Sequence, residues 1–252
     1  MTFELNTYWL EAVMLASVRM VAFVVIAPPF SYRAFPGQVK AMLAVGLAVA
    51  VSPRVVPGYV ALADVAFIGA IIAELLTGAA LGFLVYVAFA AVQSAGNLID
   101  MFGGFQLAQG FDPQSMVNGA QFSRLFHLTA IALLFASGAY QLILGGLFRT
   151  FDAVPLGGSI AEGLTAEIVV SSVTTMFLSA VQIAGPLVIV LFLADAGLGL
   201  LTRVAPALNA FALGFPLKIF LTLALGGLVL AVLPAVVTST TDAVTRMLLG
   251  VR

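Results

Sequence analysis

The sequence predicts an all-α, polytopic membrane-type protein, built from helical hairpins and from broken or kinked helices. The 252 residues are 62% hydrophobic with a mean hydropathy of +1.17, and only 8% are charged. An ordinary soluble domain carries roughly 25% charged residues. Apolar stretches of the length that spans a bilayer, about 20 residues, recur along the chain. Prolines, glycines and small polar clusters separate or interrupt these stretches.

Composition also excludes several classes of function. The formal net charge of -1 comes without a polybasic tract, which argues against a nucleic-acid partner. The absence of cysteine excludes disulfides and thiolate metal sites. The one histidine, His127, has no second metal ligand near it in sequence, whereas zinc sites need three or four ligands. With no GxSxG, HExxH, Walker A or Rossmann glycine pattern, we expect no enzyme activity, cofactor or metal.

Residues 10–30 predict a first membrane-length helix with Arg19 near its middle. Acidic Glu4 and Glu11 stand where a cleavable signal would be basic, so this helix is expected to remain in the mature protein. An arginine at mid-bilayer costs roughly 2.5–3.5 kcal/mol on insertion scales, so Arg19 must face protein or water. We expect a neighbouring helix to satisfy it. Pro28 and Pro29 are predicted to end the helix.

The second apolar run, residues 39–51, has only thirteen residues before Ser52 and Pro53. That length is too short to cross a bilayer alone. We therefore predict a tight helical hairpin over residues 20–51, with a second arm that is buried in protein or re-entrant.

Residues 65–92 form the longest clean apolar span. Gly78 and Gly82 make a GxxxG pair, which lets helix backbones approach closely and predicts helix packing. Glu74 lies inside the same span. A carboxylate in this setting must be neutral, paired or exposed to an aqueous path, and a structural hydrogen bond is favoured over a proton relay.

A polar and glycine-containing stretch, residues 93–124, follows between two strongly apolar segments. Gln93, Asn97 and Asp100 are spaced i, i+4 and i+7, so they share one face of a helix. Gly103 and Gly104 are predicted to end that helix, because glycine accepts positive φ without strain.

A loop over residues 105–110 is predicted next, and a new helix at Asp112. Aspartate is a favoured N-cap, and Pro113 suits the first helical position because it lacks an N–H that would be unpaired there. Unpaired backbone groups cost several kcal/mol each in hydrocarbon, so such a loop cannot face lipid. It must line a cavity, pack inside protein or lie outside the membrane.

The remaining sequence predicts further helices with breaks. We expect a span over residues 125–148, a loop over 148–158, a span over 168–194 kinked at Pro186, and a final span over 219–237. Residues 194–218 carry Asp195, Arg203, Asn209 and Lys218 among apolar neighbours, with Pro216 as a breaker. This region predicts short amphipathic pieces in place of one straight helix.

Several blocks together resemble the FliR/SctT family of the type III secretion export apparatus. They occur in the family's order over nearly the full length: Arg19 with the later APPFSYRAFPGQVK, then GNLIDMFGGFQLAQGFDPQS, FRTFDAVPLGG and DAGLGLLTRVAPALNAFALGFPLK. The last block is the most specific, and its GFPLK ending is more similar to flagellar than to injectisome members.

The resemblance implies a core subunit of the flagellar protein export gate. It implies assembly with FliP and FliQ homologues, work beside FlhB and FlhA, and secreted flagellar proteins as unfolded substrates. The implied location is the bacterial inner membrane, in the flagellar basal body, with membrane lipid as a further contact. In the family the helices form a helical export-gate assembly that stands largely above the bilayer.

The resemblance also places a pore-plugging loop between the third and fourth apolar segments. On this chain the plug maps to residues 103–118, within one domain divided into N-terminal hairpins (1–92), a polar pore region (93–124) and C-terminal helices (125–252). Phenylalanine and methionine suit a compliant apolar seal, because they fill irregular gaps. The expected pore or plug residues are Phe102, Gly103, Gly104, Phe105, Gln106, Leu107, Gln109, Gly110, Phe111, Asp112, Pro113 and Met116. The expected structural or interface residues are Arg19, Glu74, Asn97, Asp100, Asp195, Arg203, Asn209, Pro216 and Lys218.

Three alternatives stay open at this point. The first is a secondary transporter of a small solute, with Glu74, Asp100 and the broken helices as its site. The second is the injectisome counterpart of the same export gate. The third is a purely structural membrane scaffold, in which substitutions in the loop would be silent as long as assembly survives.

Overall fold

A computed structural model describes residues 7–32, 34–105, 121–158, 166–205 and 210–250. This part of the chain is helical and contains no strand, so the all-α prediction is confirmed. The α-helices are α1 (Thr7–Ile26), α2 (Gly37–Val55), α3 (Asp64–Phe102), α4 (Gln121–Ala136), α5 (Ala139–Ala153), α6 (Ala166–Val204) and α7 (Ala210–Gly250). A short 3-10 turn, Val56–Gly58, follows α2.

Five of these helices are long and apolar enough to cross a membrane. They are α1, α2 together with its 3-10 turn, α3, α6, and α7 over Leu213–Leu248. The pair α4 and α5 passes the same test only as a bent span, with an angle of 76° between its two arms. A polytopic membrane-type protein with a broken span is therefore what the described helices form.

The chain divides into two compact units. Unit 1 contains Met1–Ala88, Leu134–Ser172 and Ser239–Arg252, and unit 2 contains Phe89–Leu133 and Val173–Thr238. The largest fully buried apolar side chains of unit 1 include Leu15, Met20, Phe23, Leu81, Leu84, Ile143 and Leu147. Those of unit 2 include Ile99, Phe126 and Leu191. Each unit therefore has an apolar core of its own, of the kind whose burial stabilises a fold.

Close helix packing in unit 1 depends on the two glycines of the GxxxG pair. A Cβ added to Gly78 would lie 2.2 Å from the backbone oxygen of Arg19, and one added to Gly82 would lie 3.1 Å from Cβ of Ile26. The absence of side chains at these positions lets α3 approach α1 directly. The pair is thus used for helix packing.

The second helix is longer than its sequence suggests. α1 ends at Ile26 ahead of Pro28 and Pro29, and α1 and α2 pack against each other, so the predicted hairpin is present. The expectation that its second arm is too short to cross a bilayer is wrong, because helix 37–58 has 22 residues. Pro53 lies inside the last turn of α2. A proline there removes a single hydrogen bond close to the point where the helix ends anyway.

The two C-terminal helices are longer than the sequence predicted. Residues 194–218 were expected to form short amphipathic segments, but α6 runs to Val204 and α7, which begins at Ala210, continues through Pro216. Each helix continues past its isolated polar residues because long apolar segments lie next to them in the sequence. α6 is also continuous through Pro186, and the kink expected there stays a prediction.

The single span expected over residues 125–148 is broken. α4 ends at Ala136 and α5 begins at Ala139, with Gly138 at a φ of 71° between them. Glycine adopts this left-handed conformation without the Cβ clash of other residues, so Gly138 permits the bend. The loop expected over residues 148–158 is also shorter than predicted, since α5 extends to Ala153.

Candidate functional site

A buried ion pair joins the first and third helices inside unit 1. Arg19 of α1 and Glu74 of α3 are both 0% exposed. Nε of Arg19 donates to Oε2 of Glu74 at 2.5 Å, and Nη2 donates to Oε1 at 2.9 Å. Two parallel bonds of this kind are the strongest geometry for a guanidinium and a carboxylate.

The same arginine also binds the end of α5. Its Nη2 donates to the backbone oxygen of Val154 at 2.9 Å, and Nη1 lies 3.5 Å from the backbone oxygen of Thr150. The guanidinium carbon lies 4.1 Å from the ring centre of Phe151, a cation–π arrangement. The carbonyl of Thr150 also accepts the backbone N–H of Val154 at 2.8 Å, whereas the carbonyl of Val154 lies past the last turn of α5. Arg19 therefore binds the C-terminal end of α5, where carbonyl groups lack intrahelical partners.

The carboxylate has a third partner on the turn after α5. The backbone N–H of Gly157 donates to Oε1 of Glu74 at 2.9 Å, and Gly157 has a φ of 75°. We call Arg19, Glu74, Phe151 and Gly157, with their backbone partners, the Arg19 cluster. It fixes α1, α3 and the end of α5 to one another. The sequence had suggested a neighbouring helix for Arg19 without pairing it with Glu74.

A second buried carboxylate lies in unit 2, at the end of α3. Asp100 is 0% exposed and accepts two backbone hydrogen bonds. The N–H of Phe122 donates to Oδ1 and the N–H of Ser123 donates to Oδ2, both at 2.9 Å. These amides belong to the first turn of α4, where N–H groups have no intrahelical partner. Asp100 is thus an N-cap for α4 that is contributed from another helix.

The surroundings of Asp100 are tightly packed. A Cβ on Gly96 would lie 2.5 Å from Cα of Ser123, so the two chain segments touch through their backbones. The ring centres of Phe105 and Phe122 are 5.5 Å apart, and those of Phe122 and Phe126 are 6.1 Å apart. We call these contacts, together with the Asp100 hydrogen bonds, the loop base, because they join the chain immediately before residues 106–120 to the chain immediately after them.

The final helix also packs on this region of unit 2. A Cβ on Gly103 would lie 2.8 Å from Oγ1 of Thr222, and one on Gly226 would lie 2.8 Å from the ring of Phe122. Gly104 has a φ of 81° and lies against the ring of Phe215. The helix end that the sequence predicted at Gly103 and Gly104 is therefore confirmed, since α3 ends at Phe102.

The other residues singled out from the sequence have varied positions. The polar face of α3 is split, since Asn97 is exposed, Gln93 is partly buried and Asp100 is buried. Phe102 and Phe105 are partly buried. Asn209 and the helix start expected at Asp112 lie outside the described part of the chain. The remaining expected plug residues lie outside it as well, namely Gln106, Leu107, Gln109, Gly110, Phe111, Pro113 and Met116.

An ion pair links α6 and α7 within unit 2. Nζ of Lys218 lies 2.6 Å from Oδ2 of Asp195, with side chains 20% and 45% exposed. Arg203, near the end of α6, is exposed, and Pro216 lies within α7 two residues before Lys218. Asp195 and Lys218 thus hold together two helices that are separated in sequence by residues 205–209.

A cavity of about 330 Å³ lies in unit 1 beside the end of α2. Its lining includes Arg54, Tyr59 and Phe151, and it includes neither Glu74 nor Asp100. Arg54 lies 3.7 Å from Asp152 in an exposed ion pair. Burial, and then the nearby Glu11 carboxylate, raise the pKa of Tyr59. Among the described residues, no group of three or more His, Asp or Glu is placed to hold a metal ion.

The helices and these contacts define a polytopic helical membrane protein whose buried charges bind other groups of the same chain. The chain belongs to the bacterial export proteins, family 1, whose family model matches residues 10–244. The resemblance to the FliR/SctT family is thereby confirmed. Members of this family are components of the type III export apparatus, not a known class of enzyme.

Relatives of this chain include flagellar biosynthetic proteins and a Yop proteins translocation protein. The chain is 31% identical to the flagellar biosynthetic protein FliR of Escherichia coli (strain K12), over 84% of this chain and 81% of that protein. It is 31% identical to FliR of Bacillus subtilis (strain 168), over 82% of each chain. It is 32% identical to the Yop proteins translocation protein T of Yersinia pestis, over 58% of this chain and 56% of that protein.

Proposed function

We propose that this chain is a core subunit of the flagellar type III protein export gate. It contributes part of the pore through which unfolded flagellar proteins cross the inner membrane. The segment around residues 103–118 acts as the plug of that pore. The chain makes and breaks no bond itself, and the energy for export comes from other parts of the machine.

The observation that carries this proposal is that the polar stretch, residues 93–124, lies inside the part of the chain that the family model matches. The family match over residues 10–244 includes the whole polar stretch. α3 ends at Phe102, and Asp100 joins that end to the start of α4. The described residues on either side of residues 106–120 therefore lie together in unit 2, which supports the proposed plug. A polar segment of this kind cannot face lipid, which supports a location in a pore or within protein.

The proposed setting is the basal body in the bacterial inner membrane, with FliP and FliQ homologues as direct partners and FlhB and FlhA nearby. Long apolar faces support burial against partner subunits or lipid: Phe177, Leu178, Phe192 and Leu193 of α6 are each about 60% exposed in the isolated chain. Within one domain, residues 1–92 supply N-terminal hairpins, 93–124 the pore region and 125–252 the C-terminal helices. The polar residues outside the plug hold the helices or meet partner subunits.

The plug is tested by deleting residues 104–111 and measuring ion leakage through the assembled complex in proteoliposomes. The deletion is expected to raise leakage, because it removes Phe105, Leu107 and Phe111 from the proposed seal. The control is the full-length variant Gly227→Ala in α7. It should not change leakage, because nothing lies within 4 Å of the added Cβ. Unchanged leakage in the deletion complex would reject the plug.

The flagellar system is favoured over its injectisome counterpart because the flagellar relatives align with a larger share of this chain. The two FliR relatives align over 82–84% of this chain, whereas the Yersinia protein aligns over 58%. The transporter alternative is weakened by Glu74 and Asp100, which are both buried and fully engaged by donors from the chain. The scaffold alternative predicts that the deletion complex does not leak.

A further inference from the structure

We propose that the cavity beside the end of α2 binds a membrane phospholipid whose headgroup carries both a phosphate and an ammonium group. Arg54 binds the phosphate, and Asp152 binds the ammonium group. The cavity and both charged residues belong to unit 1. The inference goes beyond the proposed pore function, because it uses no residue of the plug or of unit 2.

The cavity has the size and the lining that the glycerol region of a lipid requires. Its volume of about 330 Å³ is near the lower end of the range of ligand sites, roughly 300–1,000 Å³. Arg54 and Tyr59 supply polar groups to its wall. Most of the remaining lining is apolar, namely Val55, Val60, Leu62, Phe151, Pro155 and Leu156. The space holds a headgroup with its glycerol, and the acyl chains lie outside it.

Arg54 and Asp152 present opposite charges side by side at this cavity. Nε of Arg54 lies 3.7 Å from Oδ1 of Asp152, and the two side chains are 49% and 57% exposed. Hydrogen bonds between such groups are about 2.7–3.2 Å long, so this pair leaves N–H groups of Arg54 available. A guanidinium has a fork of donors that matches a phosphate, and a carboxylate accepts from an ammonium group. A headgroup with both charges therefore matches the pair, whereas a purely anionic headgroup meets the negative charge of Asp152.

Aromatic residues at this end of the α1–α2 hairpin indicate the level of the lipid headgroups. The hydroxyl of Tyr59 donates to Oε2 of Glu11 at 3.2 Å, which joins the end of α2 to the start of α1. Tyr8 and Trp9 are exposed at that start. Tryptophan and tyrosine are enriched where a membrane meets water, and arginine extends its charge into the same layer. The cavity and Arg54 thus lie at the end of the hairpin that suits lipid phosphates.

An apolar stripe on α2 provides a surface for an acyl chain. Val39, Met42, Val45 and Val49 are exposed, and their spacing of three or four residues places them on one face of the helix. The stripe covers ten residue steps, which is about 15 Å at 1.5 Å per residue. One leaflet has about the same thickness, since the hydrocarbon core of a bilayer measures roughly 30 Å. An acyl chain of a lipid bound at Arg54 can therefore follow this stripe into the bilayer.

The test measures lipid binding to the detergent-purified full-length chain by native mass spectrometry. Phosphatidylethanolamine, which carries both charges, is compared with phosphatidylglycerol, which has no ammonium group. Phosphatidylethanolamine is expected to bind more tightly. Arg54→Met should weaken binding of both lipids about tenfold, because charge-assisted hydrogen bonds to the phosphate are lost. Arg203→Met is the matched control, since Arg203 is an exposed arginine in the last turn of α6, and it should leave binding unchanged.

Asp152→Asn separates the two halves of the headgroup. The variant removes the negative charge that binds the ammonium group, so phosphatidylethanolamine should bind more weakly. Phosphatidylglycerol should bind as well as before or better, because its negative charge no longer meets a carboxylate. The preference between the two lipids should therefore shrink or reverse. Equal binding of the two lipids by the original protein would overturn the inference, as would a preference that Asp152→Asn does not change.

A second variant fills the cavity and leaves both charges in place. Gly58 lines the cavity, and nothing lies within 4 Å of a Cβ added there, so Gly58→Leu should fold and reduce lipid binding. Gly69→Leu in α3 is its control, because its Cβ also meets open space but Gly69 does not line the cavity. Unchanged lipid binding in Arg54→Met and Gly58→Leu would show that the lipid binds elsewhere and would overturn the inference.

A soluble headgroup distinguishes a lipid site from a site for a free phosphate compound. Glycerophosphoethanolamine has the same charges as the lipid headgroup but no acyl chains. It should compete poorly with phosphatidylethanolamine, because it gains nothing from the apolar stripe on α2. Competition at equal concentration would overturn the assignment to a membrane lipid.

Discussion

Arg19 and Glu74 lie 55 positions apart in sequence and form a fully buried, doubly hydrogen-bonded ion pair. Each lies within an apolar stretch of its helix. The pair also binds the end of α5 through Thr150, Val154 and Gly157. One contact thus accounts for two charges that would be costly in lipid, and it defines how three helical segments of unit 1 meet.

Removing one partner of this pair should destabilise the protein strongly. Glu74→Ala leaves a buried guanidinium without its counter-ion, which is expected to cost about 3–5 kcal/mol. Thermal unfolding of the purified protein measures the loss. Arg54→Ala is the matched control, since its ion pair with Asp152 is about half exposed and contributes at most about 1 kcal/mol.

The double variant Arg19→Met with Glu74→Leu separates charge from packing. Because no buried charge is left uncompensated, it should be closer in stability to the original protein than either single variant. A double variant that is as unstable as Glu74→Ala would show that the ion pair contributes through more than mutual compensation.

Gly78→Ala should separate α1 from α3. The new Cβ would lie 2.2 Å from the backbone oxygen of Arg19, a distance that no rotamer change can relieve. Gly69→Ala on the same helix has open space around its Cβ and should be neutral or stabilising, by up to about 1 kcal/mol, because alanine is the better helix former. The unfolding midpoint of Gly78→Ala should therefore fall, while that of Gly69→Ala should stay the same or rise. Equal midpoints would contradict the close approach of the two helices.

Gly104→Ala should destabilise the end of α3. Its φ of 81° is left-handed, which costs a residue with a Cβ about 1–2 kcal/mol, and the ring of Phe215 must move slightly from 3.3 Å. Gly227→Ala in α7 is the control, with nothing near its Cβ. Proteolysis at residues flanking the loop base should increase in the first variant alone. Equal cleavage of both would mean that this backbone conformation is not required.

Charge reversal tests the pair between α6 and α7. Lys218→Asp places two carboxylates within contact distance and should lower stability by about 1 kcal/mol, since the pair is partly exposed. The combined change Asp195→Lys with Lys218→Asp restores opposite charges and should recover most of the loss. Assembly yield of the complex is the measurement. No recovery in the double variant would contradict a stabilising contact between these two residues.

Much of the fold follows from the composition of the sequence and from the positions of its glycines and prolines. The all-α class, the hairpin of α1 and α2, the packing role of Gly78 and the helix end at Gly103 all rest on local signals, namely apolar length and glycine or proline chemistry. Helix lengths were less predictable. Prolines 53, 186 and 216 lie inside helices because apolar flanks and packing outweigh one missing hydrogen bond.

The contacts between distant residues were the hardest part to predict. Two opposite charges in adjacent apolar spans, Arg19 and Glu74, were a usable signal for pairing. The capping of α4 by Asp100 had no comparable signal, because residues 101–121 intervene and a capping residue normally directly precedes its helix. The break at Gly138 was hidden by uniformly apolar neighbours, which favour an unbroken span.

Native mass spectrometry of the detergent-purified protein, co-expressed with its FliP and FliQ counterparts, tests the proposed export-gate subunit most directly. We predict a defined hetero-oligomeric complex that contains this chain. The chain alone, as a monomer or homo-oligomer with the partners left behind, would contradict the proposal and make solute uptake dependent on Glu74 the next assay.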